Sequence, residues 1–180
     1  ASCRMNSPQK STVVRRSGSR PEHAQFRDQL KAALAENEQI KNVGIRALAR
    51  LAETRDKETG RHILRTSLYV RTLAKILQKM PMFQLELTDK AIDLIANSTP
   101  LHDIGKVGIA DKILLKPGRL DHEEFEIMKQ HAIFGYELLK GSSSRVLQAG
   151  AEIARGHHEK YDGSGYDNGY TIELDRKSVV

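Results

Sequence analysis

The spacing of the apolar residues constrains the fold of this chain more strongly than any other feature of its sequence. Over most of its length, aliphatic side chains recur at intervals of three and four residues, as they do along the buried face of an α-helix. We find no stretch in which apolar and polar residues alternate as they would in a half-buried β-strand. The pattern therefore predicts an all-α fold, a helical bundle preceded by one long linker helix.

Proline, glycine and capping residues indicate where the predicted helices begin and end. Asp121, followed three residues later by Glu124, has the pattern of a capping box at a helix start. The segment that contains Pro117 and Gly118 is predicted to be a loop with one short turn. The predicted helices run from Glu22 to about Arg55, from near Glu58 to Lys79, from near Thr88 toward Leu101, from Asp121 to Leu138 and from about Arg145 to His158.

The chain of 180 residues has room for one domain and an appendage, because domains usually run to about 100–150 residues. Residues 1–21 are rich in serine and arginine and are predicted to be a disordered basic linker. We interpret residues 22–55 as a linker or signalling helix and residues 56–180 as the folded domain. The final residues, LDRKSVV, have no domain-closing pattern, so we expect this domain to be incomplete at its C-terminal end.

The first predicted helix carries a row of residues with heptad spacing. Several of them are small or polar, so the row does not establish a two-stranded coiled coil. Two interpretations stay open: the second half of the helix packs on the domain, or the helix joins an upstream module and forms a homodimer. The row consists of Phe26, Leu30, Ala33, Asn37, Ile40, Gly44, Ala47 and Leu51.

Charge and composition exclude some classes of function. The net charge is +6, but residues 1–20 hold five basic side chains and no acidic one, so the remaining residues carry only +1. Such a near-neutral body argues against a nucleic-acid polymer as partner. Cys3 is the single cysteine and cannot form an internal disulfide. Because we find no signal peptide and no apolar run of about 18 residues, we expect a cytoplasmic protein.

Five of the seven histidines lie where a predicted helix is interrupted or faces inward, whereas His23 and His122 are predicted to be solvated. His102 and Asp103 stand between two apolar residues, in a segment that should be buried. An unpaired buried carboxylate is costly, so a positive charge must lie near Asp103, and Lys106 or a metal ion would serve. Each histidine alone is as well explained by a surface or core position. The five are His62, His102, His131, His157 and His158.

Together, these five imidazoles and the carboxylates of Glu58 and Asp103 form a ligand set suited to Fe, Mn, Ni or Zn. The absence of cysteine ligands argues against a structural zinc site. We therefore expect a centre of two or three metal ions in which Asp103 can bridge two of them. Such centres lower the pKa of a bound water and stabilise in-line displacement at phosphorus. Lys106 could then neutralise a phosphate oxygen as charge develops.

Four segments of the chain closely resemble the HD-GYP domain, a branch of the HD phosphohydrolase superfamily. They are LHDIGKVGIADKILLKPGRL, EFEIMKQHAIFGYELL, HHEKYDGSGY and, resembling the first part of the domain, LARLAETRDKETGRHILRTSLYVRTLA. The last of these is most similar to versions attached to two-component response regulators. The resemblance covers about Asn42 to Gly169 and is specific, because several long motifs occur in the expected order.

The resemblance implies a helical bundle with two or three metal ions, acting as a phosphodiesterase that hydrolyses the bacterial second messenger cyclic di-GMP to pGpG or GMP. It also implies an upstream receiver domain and a diguanylate-cyclase-type partner domain. Glu58 matches a carboxylate that permits a third metal in some members, and Lys106 a lysine that touches the scissile phosphate. Gly163, Gly165 and Tyr166 fall in a loop beside the substrate that contacts partners. The implied metal ligands are His62, His102, Asp103, His131, His157 and His158.

Two departures from the family pattern keep alternatives open. Asp167 stands where the family has proline, which makes the loop less rigid. The helices that follow in the family, with a further aspartate ligand, are not recognisable in this chain, so its site is expected to be incomplete and the fragment inactive. One alternative is a non-catalytic module that binds cyclic di-GMP or a partner domain. Another is a different nucleotide phosphohydrolase of the superfamily.

Overall fold

The structure, a computed structural model, describes residues 20–54, 61–160 and 162–166 of the chain. Within these ranges every regular element of secondary structure is a helix, which confirms the predicted all-α fold. Two short 3-10 helices, Thr99–Leu101 and Ile104–Gly108, lie between the third and fourth α-helices. The described α-helices are α1 (Arg20–Glu53), α2 (Arg61–Leu77), α3 (Asp89–Ser98), α4 (Asp111–Leu114), α5 (His122–Leu139) and α6 (Arg145–Gly156).

The chain divides into two compact units, Ala1–Gln39 and Ile40–Val180. The first unit includes the N-terminal part of α1. Phe26 and Leu30, which belong to the row of residues with heptad spacing, are exposed there. The second unit begins within α1 and contains the other helices. The domain boundaries that the sequence predicts at residues 21 and 55 stay predictions, as does the dimer through the linker helix.

Local sequence explains several helix ends in the second unit. Thr88 caps α3 by accepting a hydrogen bond from the N–H of Ala91 at 3.2 Å. The helix predicted to continue to Leu101 instead tightens into the first 3-10 helix, which contains Pro100 in its first turn. The capping box predicted at the start of α5 is confirmed, because the Asp121 carboxylate accepts from the N–H of Glu124 at 2.9 Å and the reciprocal bond is also formed.

The core of the second unit is aliphatic. Gly150 in α6 lets Leu101 approach closely, because a Cβ added to this glycine would lie 2.5 Å from Leu101 Cδ1. Ser98 joins α3 to α6 by donating to the carbonyl of Val146 at 2.9 Å. The end of α1, the 3-10 segments, α5 and α6 therefore share one core. Its buried members are Ile45, Ala52, Leu101, Ile104, Leu139 and Ala151.

Two glycines bring the second 3-10 helix into backbone contact with α5. A Cβ added to Gly105 would lie 1.9 Å from the carbonyl oxygen of His131 and 2.4 Å from the nitrogen of Gly135. On its other side, a Cβ added to Gly135 would lie 2.9 Å from the side chain of Ala154 in α6. Neither contact leaves room for a side chain. This packing brings Asp103, α5 and the C-terminal end of α6 together.

Candidate metal centre

The carboxylate of Asp103 lies at the centre of the histidine cluster, and its two oxygens face different groups. Oδ1 lies 3.4 Å from His131 Nε2 and 3.5 Å from His157 Nε2. Oδ2 lies 3.1 Å from both His102 Nε2 and Lys106 Nζ. The side chain is only 17% exposed. The positive partner that the sequence requires for this carboxylate is therefore present, and each oxygen has its own set of neighbours.

Three of the histidine rings are oriented by the backbone. The Nδ1 atoms of His102, His131 and His157 each contact the carbonyl oxygen of the residue three positions earlier, at 2.9, 2.7 and 2.9 Å. A carbonyl oxygen only accepts, so each Nδ1 carries the proton and donates it. Each Nε2 is therefore left to face Asp103, which is the arrangement in which protein imidazoles bind metal ions.

Four of the predicted ligands lie close enough to share one ion. Asp103, His131, His157 and His158 each offer one ligand atom, and these atoms all lie within 4.8 Å of one another. The Nε2 atoms of His131 and His157 are only 3.2 Å apart, although both rings carry their proton on Nδ1. Two nitrogen lone pairs that meet beside a carboxylate require a proton or a cation between them. The donor set therefore fits a divalent transition metal ion.

The His158 ring is held by aromatic contacts. It stacks on Tyr166 with ring centroids 4.0 Å apart and planes at 21°, and its centroid is also 4.0 Å from that of His157. Burial, together with the neighbouring His157 and His131, lowers the pKa of His158 to about 4. The imidazole is therefore neutral at pH 7 and keeps a lone pair for a metal ion.

The loop predicted to contact substrate or partners supports this stack. Tyr166 meets the ring of Phe125 in α5 edge to face, with centroids 5.8 Å apart, and Lys129 Nζ lies 5.9 Å from the tyrosine ring. Gly163 has a φ of 75°, which favours glycine. The side chain of Glu159 packs against Gly165, because a Cβ added to this glycine would lie 2.4 Å from Glu159 Oε2. Burial raises the pKa of the Tyr166 hydroxyl.

Charge interactions hold the Asp103 carboxylate in its ionised form. Burial by itself raises the pKa of Asp103, but the close polar contacts with His102, His131 and His157 outweigh burial and leave the pKa far below its usual range. For His102, burial lowers the pKa, while the hydrogen bond and the charge of Asp103 raise it, and the net shift is upward. At a pH below this raised pKa, and in the absence of a metal ion, the two residues therefore form an ion pair.

The remaining predicted site residues lie further out or outside the described ranges. His102 contacts Asp103 but does not belong to the group of four ligand atoms. The ring of His62 lies 5.9 Å from that of His102, and its Nε2 is 3.5 Å from the hydroxyl of Thr66. Glu58 lies outside the described residues. The individual ligand and catalytic roles stay predictions.

Sequence reasoning missed two features of this site. The carbonyls that orient three of the histidines belong to Thr99, Met128 and Ala154, and a backbone acceptor leaves no mark in the side-chain pattern. The second feature is Phe125, which the sequence shows only as one apolar residue of a predicted helix, although it also supports Tyr166. Helical spacing can place Phe125 on a helix, but it cannot show that the loop of Tyr166 packs against it.

No helix in the described part of the chain is both long and apolar enough to cross a membrane. The sequence profile of the HD domain family matches residues 59–178. The chain therefore belongs to the HD domain family, as its resemblance to the HD-GYP branch implied.

The chain is similar in sequence to several proteins that are named as cyclic dinucleotide phosphodiesterases. A protein named cyclic di-GMP phosphodiesterase from Vibrio cholerae serotype O1 is 48% identical over 148 residues, which cover 79% of this chain and 30% of the relative. A 3'3'-cGAMP-specific phosphodiesterase 2 from the same organism is 46% identical over 121 residues, or 67% of this chain and 22% of the relative. The cyclic di-GMP phosphodiesterase response regulator RpfG of Xanthomonas campestris is 42% identical over 144 residues, covering 80% and 36%. The matched residues thus make up 22% to 36% of the length of these relatives.

Proposed function

We propose that this chain is the phosphodiesterase part of a bacterial signalling protein and hydrolyses cyclic di-GMP to pGpG or GMP. The observation that carries the proposal is the approach of His131 Nε2 to His157 Nε2 beside the ionised Asp103 carboxylate. Such a cluster is the expected ligand set of a metal-dependent hydrolase. The names of the Vibrio and Xanthomonas relatives support cyclic di-GMP as the substrate.

The donor set fits two ions that share Asp103. On the Oδ1 side, His131, His157 and His158 would complete one site, and on the Oδ2 side His102 and His62 would contribute to a second. Fe, Mn or Ni suits these nitrogen and oxygen ligands, and Zn is also compatible. Bound divalent ions supply a water of lowered pKa and a Lewis acid for phosphate oxygens. Glu58 as a ligand of a third ion stays an expectation from the family.

Lys106 is the residue that we propose stabilises negative charge on the substrate. Its Nζ lies 3.1 Å from Asp103 Oδ2, and its side chain is only 18% exposed. A positive charge held in a partly buried site interacts more strongly with a phosphate oxygen than one in bulk water. Lys106 would therefore neutralise the charge that develops on the scissile phosphate. Gly163, Gly165 and Tyr166 would line the approach to the same site.

The test is hydrolysis of cyclic di-GMP by the whole protein loaded with Mn²⁺ or Fe²⁺, followed by chromatography of the nucleotide products. We expect release of pGpG or GMP, and its loss in His102→Ala and Asp103→Ala variants. His122→Ala is the matched control, because this exposed histidine lies outside the cluster. Wild-type turnover in the Asp103→Ala variant would refute the proposed ligand set.

A second cyclic dinucleotide is a specific alternative substrate, because one relative is named as specific for 3'3'-cGAMP. The two substrates differ in one base, so the metal centre itself does not distinguish them. Parallel assays with both dinucleotides at equal concentration decide between them. A higher kcat/KM for 3'3'-cGAMP would replace cyclic di-GMP in the proposal and leave the metal-dependent chemistry unchanged.

The non-catalytic module and the nucleotide phosphohydrolase make different predictions. A non-catalytic module would bind cyclic di-GMP tightly without bound Fe, Mn, Ni or Zn, and Asp167 in place of proline is the feature that favours it. A nucleotide phosphohydrolase would turn over nucleoside phosphates and leave cyclic di-GMP intact. Metal analysis of the purified protein, with these two assays, separates both from the leading proposal.

The signalling context is also a proposal. The similarity to a response regulator supports an upstream receiver domain that controls the chain through the linker helix. A diguanylate-cyclase-type domain is the expected partner at the loop of Tyr166, a homodimer could form through α1, and the cytoplasm is the expected compartment. Size-exclusion chromatography with light scattering tests the homodimer directly.

A further inference from the structure

A cleft separate from the metal centre lies in the second unit, which begins at Ile40. None of the predicted metal ligands lines this cleft. Its walls are formed by α1, α2, α3 and the first 3-10 helix. The volume of the cleft is about 160 Å³ and its mouth is open to solvent, so a small ligand would be held with part of its surface exposed. Polar side chains around it are Asn42, Arg46, Arg50, Ser67, Arg71 and Asn97.

The lining of this arginine cleft is positively charged, because three of its residues are arginine and none is acidic, although Arg71 is paired with Asp93 beside the cleft. Arg46 and Arg50 lie one turn apart on α1, so both point to the same side of the helix, where like charges repel each other. Arg71 reaches the cleft from α2 and is oriented by an ion pair with Asp93. An anion bound between these three guanidinium groups would relieve the repulsion and accept several hydrogen bonds.

The floor of the arginine cleft is apolar. Ile63 and Ala96 are almost fully buried, and Pro100 closes the cleft from the 3-10 helix. The amides of Asn42 and Asn97 can both donate and accept hydrogen bonds at its edge. An apolar surface bordered by amide groups suits a planar heterocycle, and an arginine side chain can also stack on such a ring.

We propose that the arginine cleft binds a mononucleotide, with its phosphate between Arg46, Arg50 and Arg71 and its base on the apolar floor. The cleft shares its supporting elements with the metal centre. Ile63, which lines the cleft, directly follows the predicted ligand His62 in the sequence. The 3-10 helix that contains Pro100 ends just before His102. A nucleotide bound there would connect α1 to α2 and α3, and so tie the linker helix to the segments that carry these histidines.

The test is isothermal titration calorimetry of the full chain with GMP, after removal of metal ions with EDTA. Removing metal separates this site from the proposed hydrolase, because the cleft requires no metal ion. We expect GMP to bind, inorganic phosphate to compete with it, and guanosine to bind at least about 10-fold more weakly, since the loss of a charged hydrogen bond has about this effect.

The variant pair for this test is Arg46→Gln/Arg50→Gln against Arg27→Gln/Lys31→Gln. Both remove two positive charges spaced four residues apart on α1, but only the first pair lines the cleft. We expect GMP affinity to fall at least about 10-fold in the first variant and to stay unchanged in the second. Wild-type affinity in the first variant, equal affinity for guanosine and GMP, or no GMP binding by the wild-type chain at millimolar concentration would each overturn the proposal.

Discussion

At the scale of single residues, the four histidines closest to Asp103 are held in two different ways. His102, His131 and His157 donate Nδ1–H to a carbonyl oxygen, which fixes both the tautomer and the ring angle. The His158 ring instead packs face to face on Tyr166. Stacking restricts the plane of a ring without fixing a proton, so we expect His158 to depend on the loop of Tyr166 for its position.

Replacing Tyr166 tests this dependence. In Tyr166→Ala the His158 ring keeps its contacts with His131 and His157 but loses the stack, so Mn²⁺ affinity should fall by about 10-fold. Tyr166→Phe retains the ring and should bind like wild type, and so should Tyr69→Ala, which removes a tyrosine that is 70% exposed on α2. Competition with a chelator measures the affinity. An equal loss in the Phe and Ala variants would assign the effect to the hydroxyl group instead.

His102 should make the stability of the metal-free protein depend on pH. Its folded-state pKa is raised, so its contribution is fully present below the ordinary histidine pKa of about 6.5 and is lost as the pH rises through the folded value. The lowered pKa of Asp103 adds nothing to this dependence, because Asp103 is ionised throughout the window. Urea unfolding in EDTA should therefore show a fall in the free energy of unfolding above about pH 6.5.

His102→Asn is the variant that tests this assignment, and His122→Asn is its control. The first should flatten the fall in stability above neutral pH, because the ion pair with Asp103 is gone. The second removes an exposed histidine and should leave the pH profile of the wild type unchanged. If the His102→Asn protein kept the full dependence, another group would have to be its source.

At the scale of elements, the contact between the second 3-10 helix and α5 positions the site. Gly105→Ala would place a methyl group 1.9 Å from the carbonyl oxygen of His131, and backbone atoms cannot move aside as a side chain can. We expect a loss of at least about 1–3 kcal/mol in the free energy of unfolding. Metal affinity should fall too, because the added methyl group would push the 3-10 helix away from α5 and so separate Asp103 from His131. Urea denaturation and metal titration measure the two effects.

Gly44→Ala is the matched control for Gly105→Ala. This glycine lies in the middle of α1, and a Cβ added there would meet no atom within 4 Å. Because alanine favours helix more than glycine does, the variant should be more stable by about 0.5–1 kcal/mol. An equal loss of stability in both variants would mean that the close contact of Gly105 is not the cause.

Sequence patterns predicted the elements better than their connections. The capping box of Asp121 and the apolar period located α5, because both signals are local. The change from α3 to a 3-10 helix near Pro100 was not predicted, because apolar spacing alone does not distinguish a continuing α-helix from a short 3-10 helix. The sequence also identified the histidines as a set but could not separate the group around Asp103 from the more distant His62, because that separation depends on how distant segments pack.

At the scale of the whole molecule, a metal ion bound at Asp103 would join segments that are far apart in the sequence. Its ligands would come from the 3-10 region, from α5 and from the end of α6. None of these segments holds a complete site by itself, so an ion binds the folded state far more tightly than the unfolded chain. Metal binding should therefore stabilise the fold as well as supply chemistry.

Thermal unfolding with and without metal ions tests this coupling. At an Mn²⁺ concentration of about 100 times Kd, binding adds about 2.7 kcal/mol, which for a chain of this size raises Tm by roughly 5–10 °C over the EDTA-treated protein. Asp103→Asn should abolish the increase, because the amide loses the negative charge that faces both sets of histidines. His122→Asn should keep it. An increase of wild-type size in the Asp103→Asn protein would mean that Mn²⁺ binds elsewhere on the chain.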